Sequence, residues 1–144
     1  MKILVVDDCK AICDVTAMLL RERGLDVAIA YDAASAYEQM LQTRFDVVLT
    51  DYFTERGSGG SAPAIARTAK SLNPGVRVII TSGFGIDPAC LAGCDYVCKP
   101  FHVDAIVELM DQWRSAQSKD EAALDEEEPH PPGPFSVQML PMPA

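Results

Sequence analysis

The 144-residue chain has no apolar run of the roughly 18 residues that a membrane-spanning helix needs, so no contact with a membrane is expected. Its N-terminus, Met1 and Lys2 followed by four apolar residues and then Asp7-Asp8, is too short for the core of a secretory signal. A cytoplasmic protein is expected. There is no Gly-x-Gly-x-x-Gly or Walker loop, which removes the usual cradle for the phosphates of a nucleotide. The five cysteines, at 9, 13, 90, 94 and 98, are odd in number and form no C-x-x-C pair, so they read as small hydrophobic residues of a reducing compartment. Zinc through Cys90, Cys94 and Cys98 is disfavoured, because Gly93 is expected to end a helix between the first two and Cys98 falls in a strand pattern. Basic residues are scarce: 12 Lys and Arg face 21 Asp and Glu, and no basic stripe exists to meet a nucleic acid.

The acidity is unevenly placed. Residues 1–115 carry 11 basic against 15 acidic side chains, a net of −4, whereas 116–144 carry one against six, a net of −5. Six of the ten prolines also lie in 129–144. With 49% hydrophobic residues, the remainder has ample material for one core. The sequence therefore divides into a domain over 1–116 and an acidic, Pro-rich, disordered tail over 117–144.

Within the domain, strand and helix alternate five times. KILVVD (2–7), DVAIA (26–30), FDVVLT (45–50), VRVIIT (76–81) and YVCK (96–99) are short apolar runs, as expected for strands covered on both faces of a parallel sheet. Ile12, Val15 and Leu19 mark the first helix, with Gly24 as its stop; Asp32 caps a second with Ala36, Met40 and Leu41 on its apolar side. A Gly-rich loop over 55–61 precedes a third helix that presents Ala62, Ile65, Ala66, Ala69 and Leu72, and Asn73-Pro74-Gly75 is a turn. A short segment from Asp87 to Ala92 is the fourth, and the last carries Val103, Ile106, Val107, Met110 and Trp113 toward a core. Five βα units of this length predict an α/β fold with a doubly wound, five-stranded parallel sheet, (βα)5, and a short or irregular fourth helix.

In such a sheet ligands bind beyond the carboxyl ends of the strands, at the point where the strand order reverses. Strand one ends in Asp7-Asp8, strand three in Asp51, strand four in Thr81-Ser82, and strand five in Lys99-Pro100. Each has an ordinary structural reading alone: a turn with a helix cap, a strand end, a tight turn. Together they put three carboxylates, a hydroxyl and an ammonium at one end of one sheet. Three carboxylates this close repel one another unless a cation intervenes, and one lysine cannot neutralise three. A hard divalent ion such as Mg²⁺ would, and it leaves room for phosphoryl oxygens. With no nucleotide loop to supply the phosphoryl group, the chemistry left is direct transfer to a carboxylate, giving an aspartyl phosphate.

These residues carry a family resemblance. VVDD (5–8), the lone Asp51 after an apolar strand, ITSG (80–83) and YVCKPF (96–101) occur in order, and over residues 1 to about 116 the chain resembles a CheY-like receiver domain of the response regulators of two-component signal transduction. The resemblance implies that Asp51 is the phosphoacceptor, that Asp8, Asp51 and the backbone carbonyl of Phe53 ligate Mg²⁺ or Mn²⁺, and that Asp7 acts through a bound water. Lys99 would pair with a phosphoryl oxygen and Thr81 would hydrogen-bond another. Tyr96 would then turn inward and repack the face around strand five. The expected phosphodonor is a sensor histidine kinase or a histidine phosphotransfer protein, and the output is contact with a downstream protein. The domain would be no enzyme in the ordinary sense, catalysing only its own phosphoryl transfer and slow autodephosphorylation.

Two departures from the family pattern stand out. Glu55 occupies a position that is often proline, and the stretch from Thr81 to Lys99 is short by about one helical turn. The second puts a standard symmetric dimer in doubt, so a monomer or a non-standard dimer is expected. Two other readings share parts of the pattern. A receiver-like interaction module that is never phosphorylated would keep the fold. A haloacid-dehalogenase-type phosphatase would need a general acid at position 53, where phenylalanine stands. A flavin site would need a Ser/Thr-rich loop after strand one, which is missing. His102 and His130 are expected at the surface without partners.

Overall fold

The structure is a computed structural model that describes residues 1–52, 62–83 and 93–127, with side chains to 116. Five strands form one parallel sheet: β1 (Lys2–Val6), β2 (Asp26–Ala30), β3 (Val47–Asp51), β4 (Arg77–Ser82) and β5 (Asp95–Cys98), in the order β2-β1-β3-β4-β5. Its helices are α1 (Lys10–Glu22), α2 (Ala33–Gln42), α3 (Ala62–Leu72) and α4 (Val103–Glu127). The expected short helix between β4 and β5, over Asp87–Ala92, lies outside the described residues, as do the 55–61 loop with Glu55 and the chain beyond 127. The chain forms two compact units, Met1–Ile106 and Val107–Ala144.

The strands lack polar alternation because both faces of the sheet are covered. Leu4 and Val6 of β1, Val48 of β3 and Val78 and Ile80 of β4 share a core with Ala36 and Met40 of α2 and Ile65 and Ala69 of α3. Ile3 and Val5 project to the opposite face and are equally buried. There the buried Cys13 of α1 directs its Sγ at the carbonyl of Val5, 3.6 Å away. Right-handed crossovers put α1 on one face and α2 and α3 on the other, so the strand order reverses between β1 and β3.

Local signals set the ends. Asp32 Oδ1 accepts from Ser35 N at 2.7 Å and caps α2. Gly24, at φ 85°, takes the left-handed conformation that stops α1. Asn73 is buried in its turn, where Nδ2 donates to Phe45 O at 2.9 Å and Oδ1 accepts from Gly75 N at 3.2 Å. On the free edge of β2, two carbonyls are taken by side chains: Arg21 Nη2 donates to Val27 O at 2.8 Å and Gln39 Nε2 to Ile29 O at 2.7 Å. Those two groups are thereby withdrawn from pairing with another strand.

One helix presents a different face from the one the sequence suggests, and two keep the expected face except at its margin. In α1 the sheet is met by Cys13, Thr16, Ala17 and Leu20, while Ile12 and Val15 are 42% and 50% exposed and Met18 is 50% exposed. In α2 and α3 the outermost members of the expected stripes, Leu41 and Leu72, are 72% and 46% exposed. The reason is spacing. Alanine, cysteine and threonine let a helix axis approach the sheet closely, and the neighbouring bulky residues, about 100° further round, turn outward. The last helix starts as expected, with Val103 and Ile106 buried. It continues past residue 116 to Glu127 through a run (Gln117, Lys119, Glu121, Ala122, Ala123, Leu124) of good helix formers.

Candidate functional site

β1 delivers Asp7 to the end of the sheet, where its N–H still donates to Ala30 O at 3.1 Å. Its Oδ1 accepts from Cys9 N at 3.0 Å, a local turn that launches α1, and this leaves Oδ2 facing inward. β3 delivers Asp51, which lies in register with Thr81 of β4; Tyr52 N donates to Thr81 O at 2.8 Å and fastens the two strand ends. β5 delivers Lys99, whose N–H donates to Ser82 O at 2.8 Å. The Lys99–Pro100 peptide is cis.

The side chains converge as the strand-end pattern predicts. Lys99 Nζ stands 2.9 Å from Asp7 Oδ2 and 2.9 Å from Asp51 Oδ1. Burial pulls the Lys99 ammonium down, but its hydrogen bonds to Asp7 and Asp51 and their charges outweigh that, so the net shift is upward and it stays charged. One carboxylate oxygen from each of Asp7, Asp8 and Asp51 lies within 4.8 Å of the others, the only such group among the described residues. Asp7 is buried, and Asp8 and Asp51 are half-buried. Three oxygen donors at this separation, with no imidazole or thiolate in the group, suit a hard cation such as Mg²⁺ and not a soft one.

Thr81 and Ser82 are buried in the same end of the sheet. Tyr96 packs against the core shared with α2 and α3, and its hydroxyl donates to Ser82 O at 3.4 Å. Phe53, the remaining residue singled out from the sequence, lies outside the described residues. Two contributors were not foreseen. The Cys9 amide fixes one oxygen of Asp7, and the Ser82 carbonyl accepts from both Lys99 N and Tyr96 OH. The first was signalled by an aspartate two residues ahead of Cys9, the residue that precedes α1; in the second the acceptor is a backbone carbonyl, which leaves no trace in residue type.

Behind the site, Cys13 is buried with its thiol pushed up to about 12 by desolvation and by the charges of Asp7 and Asp14. It is a packing residue there. On the outer side, Tyr31 OH donates to Asp14 Oδ1 at 2.6 Å while the Lys10 ammonium lies 5.3 Å from the centre of the Tyr31 ring.

Comparison with known proteins agrees with this geometry. Residues 3–111 match the response regulator receiver domain. The transcriptional regulatory protein ZraR of Salmonella typhimurium is 31% identical over 115 residues, which is 76% of this chain and 25% of that protein. The transcriptional regulatory protein DltR of Streptococcus agalactiae is 31% identical over 112 residues, 74% of this chain and 49% of that protein. The chain thus matches about a quarter of one relative and about half of the other. Among solved structures, a CheY-like receiver domain protein from Methanospirillum hungatei superposes with a TM-score of 0.72 at 27% identity, covering 83% of this chain and 97% of that one. A receiver domain protein from Clostridium thermocellum gives 0.72 at 28% identity, covering 81% and 96%.

Proposed function

The chain belongs to the response regulator receiver domain family, a signalling domain of two-component systems, and on that premise we propose that it takes a phosphoryl group from a phosphohistidine onto Asp51. The observation that carries the reading is Lys99 Nζ bridging Asp7 and Asp51 at 2.9 Å each, beside a cluster of three carboxylates at the switch point of the sheet. A structural ion pair needs one carboxylate. The second and third add repulsion, and their retention at one point is accounted for by a bound cation and an incoming phosphoryl group.

In the transfer, the P–N bond of the donor breaks as a P–O bond to Asp51 forms, and the displaced imidazole leaves with its electron pair. Asp8, Asp51 and the Phe53 carbonyl would hold Mg²⁺ or Mn²⁺, with Asp7 acting through a water; when bound, the ion neutralises charge between the carboxylates and the phosphoryl oxygens. Lys99 turns its ammonium from the Asp51 oxygen to a phosphoryl oxygen without leaving Asp7, and Thr81 donates its hydroxyl to another. Positioning and charge neutralisation of this kind are most of what phosphoryl transfer asks of a protein. Tyr96 gives up its hydrogen bond to Ser82 O as Thr81 moves, which alters the surface around β5.

The donor, a histidine kinase or a histidine phosphotransfer protein, docks on the outer face of α1. That helix begins just after Asp8 and presents Ile12, Val15 and Met18 to solvent. Output passes to a downstream protein by contact, and the domain acts on no separate substrate. The relatives named above are called transcriptional regulators, but the match covers only part of each.

Intact-mass measurement after incubation with acetyl phosphate and Mg²⁺ tests the proposal. A phosphoryl adduct on the wild type that is missing from Asp51→Asn supports it. No adduct under any condition, histidine kinases included, replaces it with an interaction module that shares only the fold.

A further inference from the structure

Away from the phosphorylation site, two of the residues that depart from the expected burial come together. Leu41 of α2 and Leu72 of α3, both exposed, face each other across a furrow between the two helices. The furrow holds two adjoining hollows, of about 230 Å³ and about 290 Å³, which share Leu41 and Leu72 as walls. The larger is flanked by Tyr37 and Thr68, and the smaller by Phe45 and Val76. Tyr37 and Thr68 lie within the two helices, whereas Phe45 and Val76 lie just past their ends, so the hollows follow one another along the furrow. The floor is fixed by the buried Asn73, which ties the end of α3 to the Phe45 carbonyl.

The charge of the furrow is as unusual as its exposure. Lys2, Lys10, Arg21, Arg23, Lys70, Arg77, Lys99 and Arg114 each have an ion-pair, hydrogen-bond or ring partner. Among the described residues, Arg44 and Arg67 are the basic side chains left without one. Arg44 lines one hollow and Arg67 the other. Among the described residues no acid lines either hollow, in a chain with 21 of them. An apolar trough with two unpaired guanidinium groups at its rim is complementary to a segment that carries apolar side chains among carboxylates.

We propose that the furrow between α2 and α3 docks an acidic, amphipathic segment of a partner protein, which inserts one bulky apolar side chain into each hollow and pairs its carboxylates with Arg44 and Arg67. Anchors at i and i+4 project side by side from one face of a helix, as two adjoining hollows require. The arginines fix orientation and speed encounter, and the leucines supply the contact area. This surface lies on the opposite face of the sheet from α1, so a partner held here leaves the donor's approach to α1 open.

The test uses the full chain and a fluorescein-labelled synthetic helix carrying two leucines four residues apart among glutamates, read by fluorescence anisotropy and by backbone amide shifts. Saturable binding is expected, with shifts gathered around Leu41, Arg44, Arg67 and Leu72. Affinity should fall at least tenfold in Arg44→Glu/Arg67→Glu and in Leu41→Ser/Leu72→Ser. All four side chains are exposed, and circular dichroism checks that the variants fold. Absence of saturable binding, equal binding of the same helix with lysines for glutamates, or shifts elsewhere would overturn the proposal. So would two other occupants: anionic lipid vesicles that bind through the same arginines more tightly than the peptide, or a self-association in sedimentation that Leu41→Lys abolishes. Phosphorylation of Asp51 should be unchanged in every variant, so failure here and failure of the receiver reading are separable.

Discussion

The Lys99 ammonium stands 2.9 Å from the Asp51 carboxylate, and Asp7 approaches the same nitrogen at 2.9 Å. One cation is thus shared between the carboxylate placed to react and the one beside it. The arrangement holds Lys99 charged while leaving the group of three carboxylates and one ammonium net negative, which is the condition under which a further cation binds favourably. The backbone enforces it: Asp51 ends β3, Asp7 and Lys99 directly follow β1 and β5, and the carbonyls of Ala30, Thr81 and Ser82 accept from the amides of Asp7, Tyr52 and Lys99.

Replacing Lys99 with methionine should therefore cost stability as well as transfer. The variant leaves two largely buried carboxylates facing each other, and breaking a buried pair in this way typically costs about 3–5 kcal/mol. Mg²⁺ should restore part of the loss, because a divalent ion supplies the missing positive charge. Urea denaturation with and without Mg²⁺ measures it. The expected result is a larger Mg²⁺-dependent rise in midpoint for Lys99→Met than for the wild type, and an equal rise would mean that the ion does not bind at the carboxylates.

The site was legible in the sequence because strand ends are legible. A buried strand reads as an apolar run, and the residue where polarity resumes is the one that stands at the sheet's edge, as Asp7, Asp51 and Lys99 do. Helix faces were less so. In α1 the sequence offers two apolar stripes, one through Ile12 and Val15 and one through Cys13, Ala17 and Leu20. Hydrophobicity ranks the first higher, yet the sheet takes the second because small residues permit closer approach. In α2 and α3 the stripe through Met40 and Ile65 is buried as read, and Leu41 and Leu72 at its margin stay exposed and border the furrow between them. The extension of α4 to Glu127 was missed because charge density argued for a tail while the individual residues favoured helix.

The exposed stripe of α1 separates two kinds of phosphodonor. Val15→Glu puts a charge on a half-exposed position outside the buried core, so folding should change by less than about 0.5 kcal/mol. Transfer from a histidine kinase should slow at least tenfold, since docking requires that face, whereas acetyl phosphate, which needs no docking, should react at the wild-type rate. Parallel time courses with the two donors give the ratio; equal slowing would place the defect in the site and not on α1.

Thr81 is buried beside Asp51 but touches neither Lys99 nor the carboxylate cluster through any bond needed before transfer. Thr81→Ala should still accept a phosphoryl group at Asp51. The change at Tyr96 that follows phosphorylation in the wild type should be lost. Amide and aromatic NMR spectra with and without beryllofluoride compare the two, and a Tyr96 response that survives in Thr81→Ala would detach the tyrosine from the site.

Cys13 makes the last prediction through its raised thiol pKa. Desolvation first, and then the charges of Asp7 and Asp14, lift it from 9.0 to about 12. At pH 8 the thiolate fraction falls from about one in ten to about one in ten thousand, so Cys13 should resist iodoacetamide in the folded protein while the exposed Cys9 and Cys98 react. The same shift sets a stability trend. Below pH 9 both folded and unfolded chains keep the proton, and the full contribution is present. Between about 9 and 12 the unfolded chain releases it while the folded chain does not, so stability falls as pH rises. Other groups titrate in this range too, and Cys13→Ala isolates the thiol: its urea midpoint should drop less between about pH 8 and pH 10 than that of the wild type. An equal drop, or rapid alkylation of Cys13 in the native state, would show that the Sγ is not held in the dry contact with Val5 O and Ala30 O described above.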